Sequence, residues 1–393
     1  MTILYRVDIE NQLGVRVAII KNFRNLQYSI KVGGKGEFRL AFSGYDPILQ
    51  TNIFGDDFIV RIYRNDTTSG SGWQNVFNGI LKTDSLSLYE NGNKIMTFFG
   101  PDGMEILDKE NILYPPTVAQ ADKTGNVSTV MSEFVNENVG YLATTANGRD
   151  VDGINPITVV GAGGLGPSWT GVKSRKYLLE TLKELRDYSR QKNDYVDYEV
   201  LYLGGYTWQF SVGKIYTDRT NIGLNKNTGK NAAGNVPVVY SPLYNNVEEF
   251  HVTNSRNNEV NTVIATGRGV GTIQEIVVLQ DVAEATKSPI AQRTRIANGQ
   301  EALDGVQLQD IAETKLREGI DKIKVNFNPR YDNVLMFRDI FPGDFVSVVT
   351  ESNQTIHKQL IEVDISVAQS PGDSQIESIR TIFEDADYLP GAT

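Results

Sequence analysis

One block of sequence occurs near both ends of the chain, and that repetition constrains the fold more than any other feature. "YDPILQTNIFGDDFIVRIY" begins at Tyr45 and "YDNVLMFRDIFPGDFVSVV" at Tyr331. Tyr45, Asp46 and Leu49 face Tyr331, Asp332 and Leu335. With one extra residue allowed in the later copy, Ile53, Phe54, Asp57 and Phe58 face Ile340, Phe341, Asp344 and Phe345. Beyond a hairpin of different length, "ILKTDSLSL" meets "LIEVDISV" and Asp84 faces Asp364. A glycine turn followed by alternating apolar residues is what a strand needs to fill a small barrel, and the next strand pairs back across a hairpin. Half-buried strands resemble one another by composition alone. An ordered series kept through two separated segments goes further, and it predicts two related β-domains. Asp57 and Asp344 are expected at turns that open equivalent strands, stabilising those turns and not acting in catalysis.

At 393 residues the chain exceeds the usual limit of a single core, and its texture changes twice. Residues 1–107 read as a first β-barrel domain, with short alternating runs such as "VRVAIIKN", "GEFRLAF", "DFIVRIYRN" and "KIMTFFG". "TTSGSG", from Thr67 to Gly72, suits a hairpin tip. Residues 108–235 read as a mixed α+β domain with a Gly-rich loop. Its strong helix begins near Ser174 and sets Leu178, Leu182 and Leu185 on one buried face. A hairpin of "YEVLYLGG" and "YTWQFSVGKIY" is placed under that helix, and "TNIGLNKNTGKNAAGN" reads as a polar linker or long loop. Residues 236–393 read as a second β-barrel domain with an inserted helix near 304–320. Asp304 and Gln307 form a capping-box pattern there, and Leu308, Ile311, Ala312 and Leu316 form the apolar stripe. The fold class is therefore mainly β with an α+β insertion.

Composition narrows the function. With no cysteine there is no disulfide and no thiolate metal site, so stability must come from burial and association. A net charge of −10 argues against a surface that grips phosphates, although like charge suits a passage through which DNA slides without sticking. No apolar run reaches the roughly 18 residues of a membrane span, and Arg6, Asp8 and Glu10 stand where a signal peptide needs apolar residues. Stable membrane insertion and signal-dependent export are not expected.

Motifs that suggest chemistry fail on spacing. "PITVVGAGGLGPSWTG" carries Gly161, Gly163 and Gly166 in dinucleotide-binding spacing. That pattern works only where a strand turns directly into a helix whose amides hold a pyrophosphate. Pro167, Trp169 and Gly171 follow instead, so a flexible surface loop is the expected reading. His251 and His357, the only two histidines, lack cysteine neighbours and HExxH spacing. "GRDVDGIN" places Gly148 and Val159 where a calcium loop requires its first ligand and its bidentate Glu, and reads as a polar turn. No GxSxG elbow is present, and paired carboxylates for glycoside hydrolysis are diagnosed by separation in space. Trp73, Trp169 and Trp208 would be sugar-stacking platforms if exposed, but burial is commoner for Trp. No catalytic, cofactor-binding or metal-binding residue is expected; the chain is not expected to be an enzyme.

The succession of segments resembles one family. "GKGEFRLAFSGYDPIL", "GDDFIVRIYR", "FNGILKTDSL", "YLLETLKELRDYS", "FSVGKIYTDRT", "NNVEEFHVTNSRNNEVNTVIATGRG" and "FPGDFVSVV" occur in that order. It is similar to that of the tail hub or baseplate hub proteins of long-tailed bacteriophages, related to late control protein D and to the hub part of type VI secretion spikes. The resemblance implies two tail-tube-like β-barrels joined by mixed α/β domains, and a homotrimeric ring in which six barrels alternate. It implies an adaptor between a sixfold tail tube or distal tail ring and a threefold tip, and part of the DNA ejection channel. The implied partners are the distal tail protein or tube ring, the tip spike or fibre proteins and the tape measure protein, with DNA passing unbound. The implied location is the distal tail tip of the virion, with assembly in the host cytoplasm. The rival readings are a receptor- or carbohydrate-binding tail protein and, further off, a tail-associated cell-wall hydrolase.

Overall fold

The computed structural model describes residues 3–50, 53–67, 70–89, 92–113, 121–145, 157–161, 163–173, 176–192, 194–255, 259–269, 271–299, 305–319, 322–330, 334–369 and 375–386. The N-terminal run is β1 (Ile3–Glu10), β2 (Arg16–Ile20), β3 (Asn25–Lys31), β4 (Glu37–Ser43), β5 (Ile59–Asp66), β6 (Gln74–Ile80), β7 (Thr83–Leu88) and β8 (Lys94–Pro101). Next come α1 (Glu105–Asp108), β9 (Ala121–Asn126), α2 (Val127–Asn138), β10 (Ile157–Gly161), β11 (Ser168–Lys173), α3 (Leu178–Gln191), β12 (Asp197–Gly204) and β13 (Thr207–Gly213). The short strands β14 (Asp218–Arg219) and β15 (Val239–Tyr240) precede β16 (Val247–Ser255), β17 (Thr262–Thr266), β18 (Ile276–Gln280), α4 (Val282–Ala285), β19 (Thr294–Asn298), α5 (Gly305–Glu318) and β20 (Lys322–Pro329). The last strands are β21 (Phe345–Val349), β22 (Thr355–Gln369) and β23 (Gln375–Asp385). The chain is mainly β, and it forms two compact units: residues 1–246 with 328–393, and residues 247–327.

In the first unit, a four-stranded sheet runs β2-β1-β5-β6, and a nine-stranded sheet runs β14-β21-β22-β3-β4-β8-β7, with β15 on β21 and β23 on β22. Both sheets have open ends among the described residues. Alternation builds the core, as expected where one face of a strand is buried. Tyr5, Val7 and Ile9 of β1 point inward, as do Leu26 and Tyr28 of β3 and Phe38, Leu40 and Phe42 of β4. Tyr28 lies 6.3 Å from Tyr5 and 5.6 Å from Phe77 between ring centroids, so one aromatic row joins strands of both sheets.

The two repeated blocks follow the same path. Strand β5 turns back into β6, which bends at Leu81 and continues as β7, and β7 turns back into β8; β21, β22 and β23 do the same with β22 unbroken. Their alignment differs from the expected one by a residue. Ile59 faces Ile80 in the first ladder and Phe345 faces Gln359 in the second. At the corner, Asp57 N–H donates to Leu81 O at 3.0 Å and Leu81 N–H to Phe58 O at 2.8 Å. Gly343 N–H donates to Leu360 O at 2.7 Å and Leu360 N–H to Asp344 O at 3.0 Å. Asp57 is therefore equivalent to Gly343, and both hold a left-handed backbone, with φ of 60° and 97°. At the corner and along the ladders the match runs one residue off the letters: Ile59 matches Phe345, Leu81 matches Leu360 and Leu86 matches Ile365. Strand parity forces this, because a slip of one residue turns every buried side chain outward. Tyr331 and Asp332 lie outside the described residues.

The middle segment supplies a helical layer with its own core. Leu178, Leu182 and Leu185 of α3 are buried with Val130, Met131 and Phe134 of α2 and with Tyr198, Trp208 and Phe210 of the β12–β13 hairpin. Helix α2 went unnamed in the sequence, although Val127, Val130, Met131, Phe134 and Val135 keep helical spacing behind Asn126. The segment 220–235 is a hydrogen-bonded loop and not a bare linker: Asn231 Nδ2 donates to Asp218 O and Thr220 O, both at 2.9 Å.

In the second unit β17 is the centre of a three-stranded sheet, antiparallel to β18 and parallel to β19. Helix α5 buries Leu308 and Ala312 against Val263, Ala265 and Ala297, with Ile311 and Leu316 packed at the margin. The expected stripe is thus the core face; Asp304 and the Gln307 side chain lie outside the described residues. Strands β16 and β20 form a separate pair.

Candidate assembly surface

The described residues singled out for chemistry are taken up by the fold. Strand β10 carries the apolar run before the glycines into a parallel ladder with β13, and Ile157 is buried. The segment is thus anchored and is not a free surface loop. The helix beside the glycines is α2, which precedes them in sequence. Its first amides are already satisfied: Val127 N–H donates to Pro167 O and Ser128 N–H to Leu165 O, both at 3.1 Å. A phosphate would have to displace the loop's own carbonyls. Gly166, with φ of 84°, is required because a Cβ there would stand 2.9 Å from Val196 Cγ2.

His251 is exposed on β16, while His357 is buried on β22. His357 Nδ1 lies 3.0 Å from Ser347 Oγ, a pairing of Ser and His that spacing did not reveal. The two residues are cross-strand neighbours. Ser347 is fully buried, and its hydroxyl also meets Asn221 Oδ1 at 2.9 Å. A nucleophile needs access to a carbonyl as well as a base; this hydroxyl is spent on holding the 220–235 loop to β21. Burial pulls the His357 imidazole below its ordinary value.

A groove of about 610 Å³ is lined in part by Asn75, Asp102, Tyr198, Glu199, Phe337 and Asp344. Asp102 accepts from Gly36 N–H at 2.8 Å and Met104 N–H at 3.0 Å, and burial pushes its carboxyl up to about 7. Asp344 accepts from Phe341 N–H and Thr217 N–H at 3.0 Å and pairs with Arg219 Nε at 2.9 Å. Burial also raises Glu199. Two of these three carboxylates fasten backbone, so the groove does not set out a free acid and a free base. Trp208 is core; half-buried Trp73 and Trp169 have cations over their rings, Arg6 at 5.0 Å and Lys173 at 5.8 Å. "GRDVDGIN" lies outside the described residues.

The more informative surface is the outer edge of β7. By the aligned ladders, Leu86 and Leu88 correspond to Ile365 and Val367 of β22. Ile365 and Val367 are 2% and 0% exposed, paired through β3 with Tyr28 and Leu26, whereas Leu86 and Leu88 are 57% and 67% exposed. Strand β7 pairs with β8 alone among the described residues. The two copies are held in one body by Arg64 of β5 and Glu377 of β23, joined by two bonds of 2.8 and 3.0 Å. Tyr5 Oη also donates to Glu377.

Known structures share this fold at low identity. The 43 kDa tail protein of prophage MuSo2 from Shewanella oneidensis superposes with a TM-score of 0.57 at 12% identity, over 98% of this chain and 100% of that one. The tail protein from Neisseria meningitidis MC58 gives 0.54 at 13% identity, over 99% of each chain. A chain of the half-lidded PdpA–VgrG complex of Francisella gives 0.51 at 10% identity, over 99% of this chain and 59% of that one. No curated protein sequence matches the chain. The model of the Siphovirus ReqiPepy6 Gp37-like protein matches residues 7–376, nearly the whole length, and the chain belongs to that family of phage tail proteins.

Proposed function

We propose that this tail protein is the hub of the tail tip: a homotrimeric ring in which the first and second copies of the repeat alternate as six barrel-like modules. Such a ring matches a sixfold tail tube or distal tail ring on one side and a threefold tip on the other. The observation that carries the reading is the repeated meander, present twice on the same path within one chain. A chain with two like modules needs three copies to offer six, and closed cyclic association hides strand edges. The division at 1–107, 108–235 and 236–393 belongs to this proposal, as a first module, a middle layer and a second module.

The ring would form part of the ejection channel, and the net charge of −10 favours passage of DNA without adhesion. Its neighbours would be the distal tail or tube ring, the tip spike or fibre proteins and the tape measure protein, at the distal end of the virion after assembly in the host cytoplasm. The function is mechanical and not enzymatic. Native mass spectrometry with low-resolution imaging tests it: a trimer with a central hole is expected, and a monomer at high concentration overturns it. Clearing of cell-wall glycan by the purified chain would favour the hydrolase reading instead.

A further inference from the structure

One carboxylate of the 610 Å³ groove is left over. Strand β12 alternates: Tyr198 and Tyr202 join the helical core, while Asp197, Glu199 and Leu201 face the other way. Asp197 is fully buried and meets Arg190 at 3.1 Å. Half-buried Glu199 lines the groove, and its side chain has neither a hydrogen bond nor an ion pair among the described residues. Lys31 is the one cation among the groove's described lining residues, and it is engaged by Glu362 at 3.2 Å. Asn78 Nδ2 donates to Asn75 Oδ1 at 2.7 Å, which leaves Asn78 Oδ1 buried and without a donor. The groove thus presents a carboxylate and an amide oxygen that both lack a donor. It also carries exposed apolar side chains, those of Leu201, Ile215 and Phe341.

We propose that this groove takes an arginine side chain, flanked by apolar residues, from a segment of another protein of the tail. A carboxylate held half out of water without a partner loses hydration and gains nothing in return, and burial, with Asp197 nearby, raises Glu199 accordingly. A cation offsets that cost through a charge-assisted hydrogen bond. Arginine suits the groove better than lysine: its planar guanidinium has donors enough to serve a carboxylate and an amide oxygen together, and it is more weakly hydrated. Nucleic acid is disfavoured, since Asp102, Glu199 and Asp344 line the groove against a single lysine. A free small cation would leave Leu201, Ile215 and Phe341 in water, whereas a chain segment covers them with the residues beside its arginine. The volume is that of a ligand pocket, roughly 300–1,000 Å³. All the lining residues belong to one compact unit of one chain, so the inference goes beyond the hub reading and does not depend on ring formation.

Titration of the full chain with a blocked tripeptide of leucine, arginine and leucine, followed by saturation-transfer NMR, tests the proposal. The peptide should bind, with the arginine methylenes and both leucines in contact. Replacing its arginine by citrulline, which keeps the shape and removes the charge, should weaken binding roughly tenfold or more. Glu199→Gln should weaken the arginine peptide by the same order and leave the citrulline peptide unchanged. That variant loses no partner, so its thermal melt should match the parent chain's; a clear loss of stability would give Glu199 a structural role and overturn the assignment. Glu37→Gln, on β4 and outside the groove, should bind as the parent does. No binding at millimolar peptide, or equal binding by Glu199→Gln, overturns the proposal. So does agmatine, a free guanidinium on a short chain, if it binds as tightly as the peptide, because the site would then serve a small cation. None of these outcomes depends on whether the chain forms a trimer, so the hub reading stands or falls separately.

Discussion

The first and second copies of the meander share a path and differ in how each is secured. In the first, the turn residue Asp57 is exposed, holds φ of 60° and pairs with Lys82. In the second, Gly343 takes the left-handed position and Asp344, 2% exposed, turns its carboxylate to two amides and Arg219. The middle strand of the first copy breaks at Leu81 and its second half is bare; that of the second is continuous and covered. The lesson is that a repeated strand path leaves the burial of each copy to its neighbours. Only where β3 covers the stretch are its apolar residues core.

That contrast can be broken or sharpened in order of effect. Glu377→Gln should cost most, about 3 kcal/mol, because it strands the buried Arg64 guanidinium where the two copies meet; urea unfolding measures it, and a neutral result would mean that the copies are not locked there. Asp344→Asn should cost about 2 kcal/mol, since it loses the Arg219 pair and presents N–H groups to amides that need acceptors. At the first copy's own acidic turn residue, Asp57→Asn should stay within about 0.5 kcal/mol, as Asn accepts a left-handed backbone and an exposed ion pair contributes little. Equal losses at the two positions would contradict the difference drawn between the turns.

The smallest effect concerns pH. Because the folded pKa of His357 is lowered, the unfolded chain takes up the proton first, and the stability tied to neutral His357 is present above about 6.5 and lost as pH falls below it. His357→Gln should flatten that part of the acid limb in thermal melts. Asp102, raised to about 7, acts in the opposite sense: its folded form holds the proton longer, so its contribution declines as pH rises from about 4 to 7. Comparing His357→Gln with the parent chain isolates the histidine.

Much of this was legible in local pattern. Leu178, Leu182 and Leu185, and Leu308 with Ala312, are core because helical periodicity puts them on one face. The Ser347–His357 contact was not legible, since it joins residues on adjacent strands through a register that no local pattern states. The anchoring of the glycines by α2 depended likewise on a helix earlier in the chain. The one-residue displacement of the repeat has a plain origin: "GDDF" and "GDF" match as letters, while the ladder matches the residues with positive φ, Asp57 and Gly343.

By itself, the sequence determined that the chain is mainly β, that its strand path occurs twice and that no sharp catalytic motif is present, because periodicity, turn residues and missing residue types are local properties. Tertiary structure alone decided the register of the two copies, the Arg64–Glu377 lock between them and the covering of β22 beside the exposure of β7. Pairing and burial depend on residues hundreds of positions apart, and closing such distances is a property of the folded chain that no short stretch encodes.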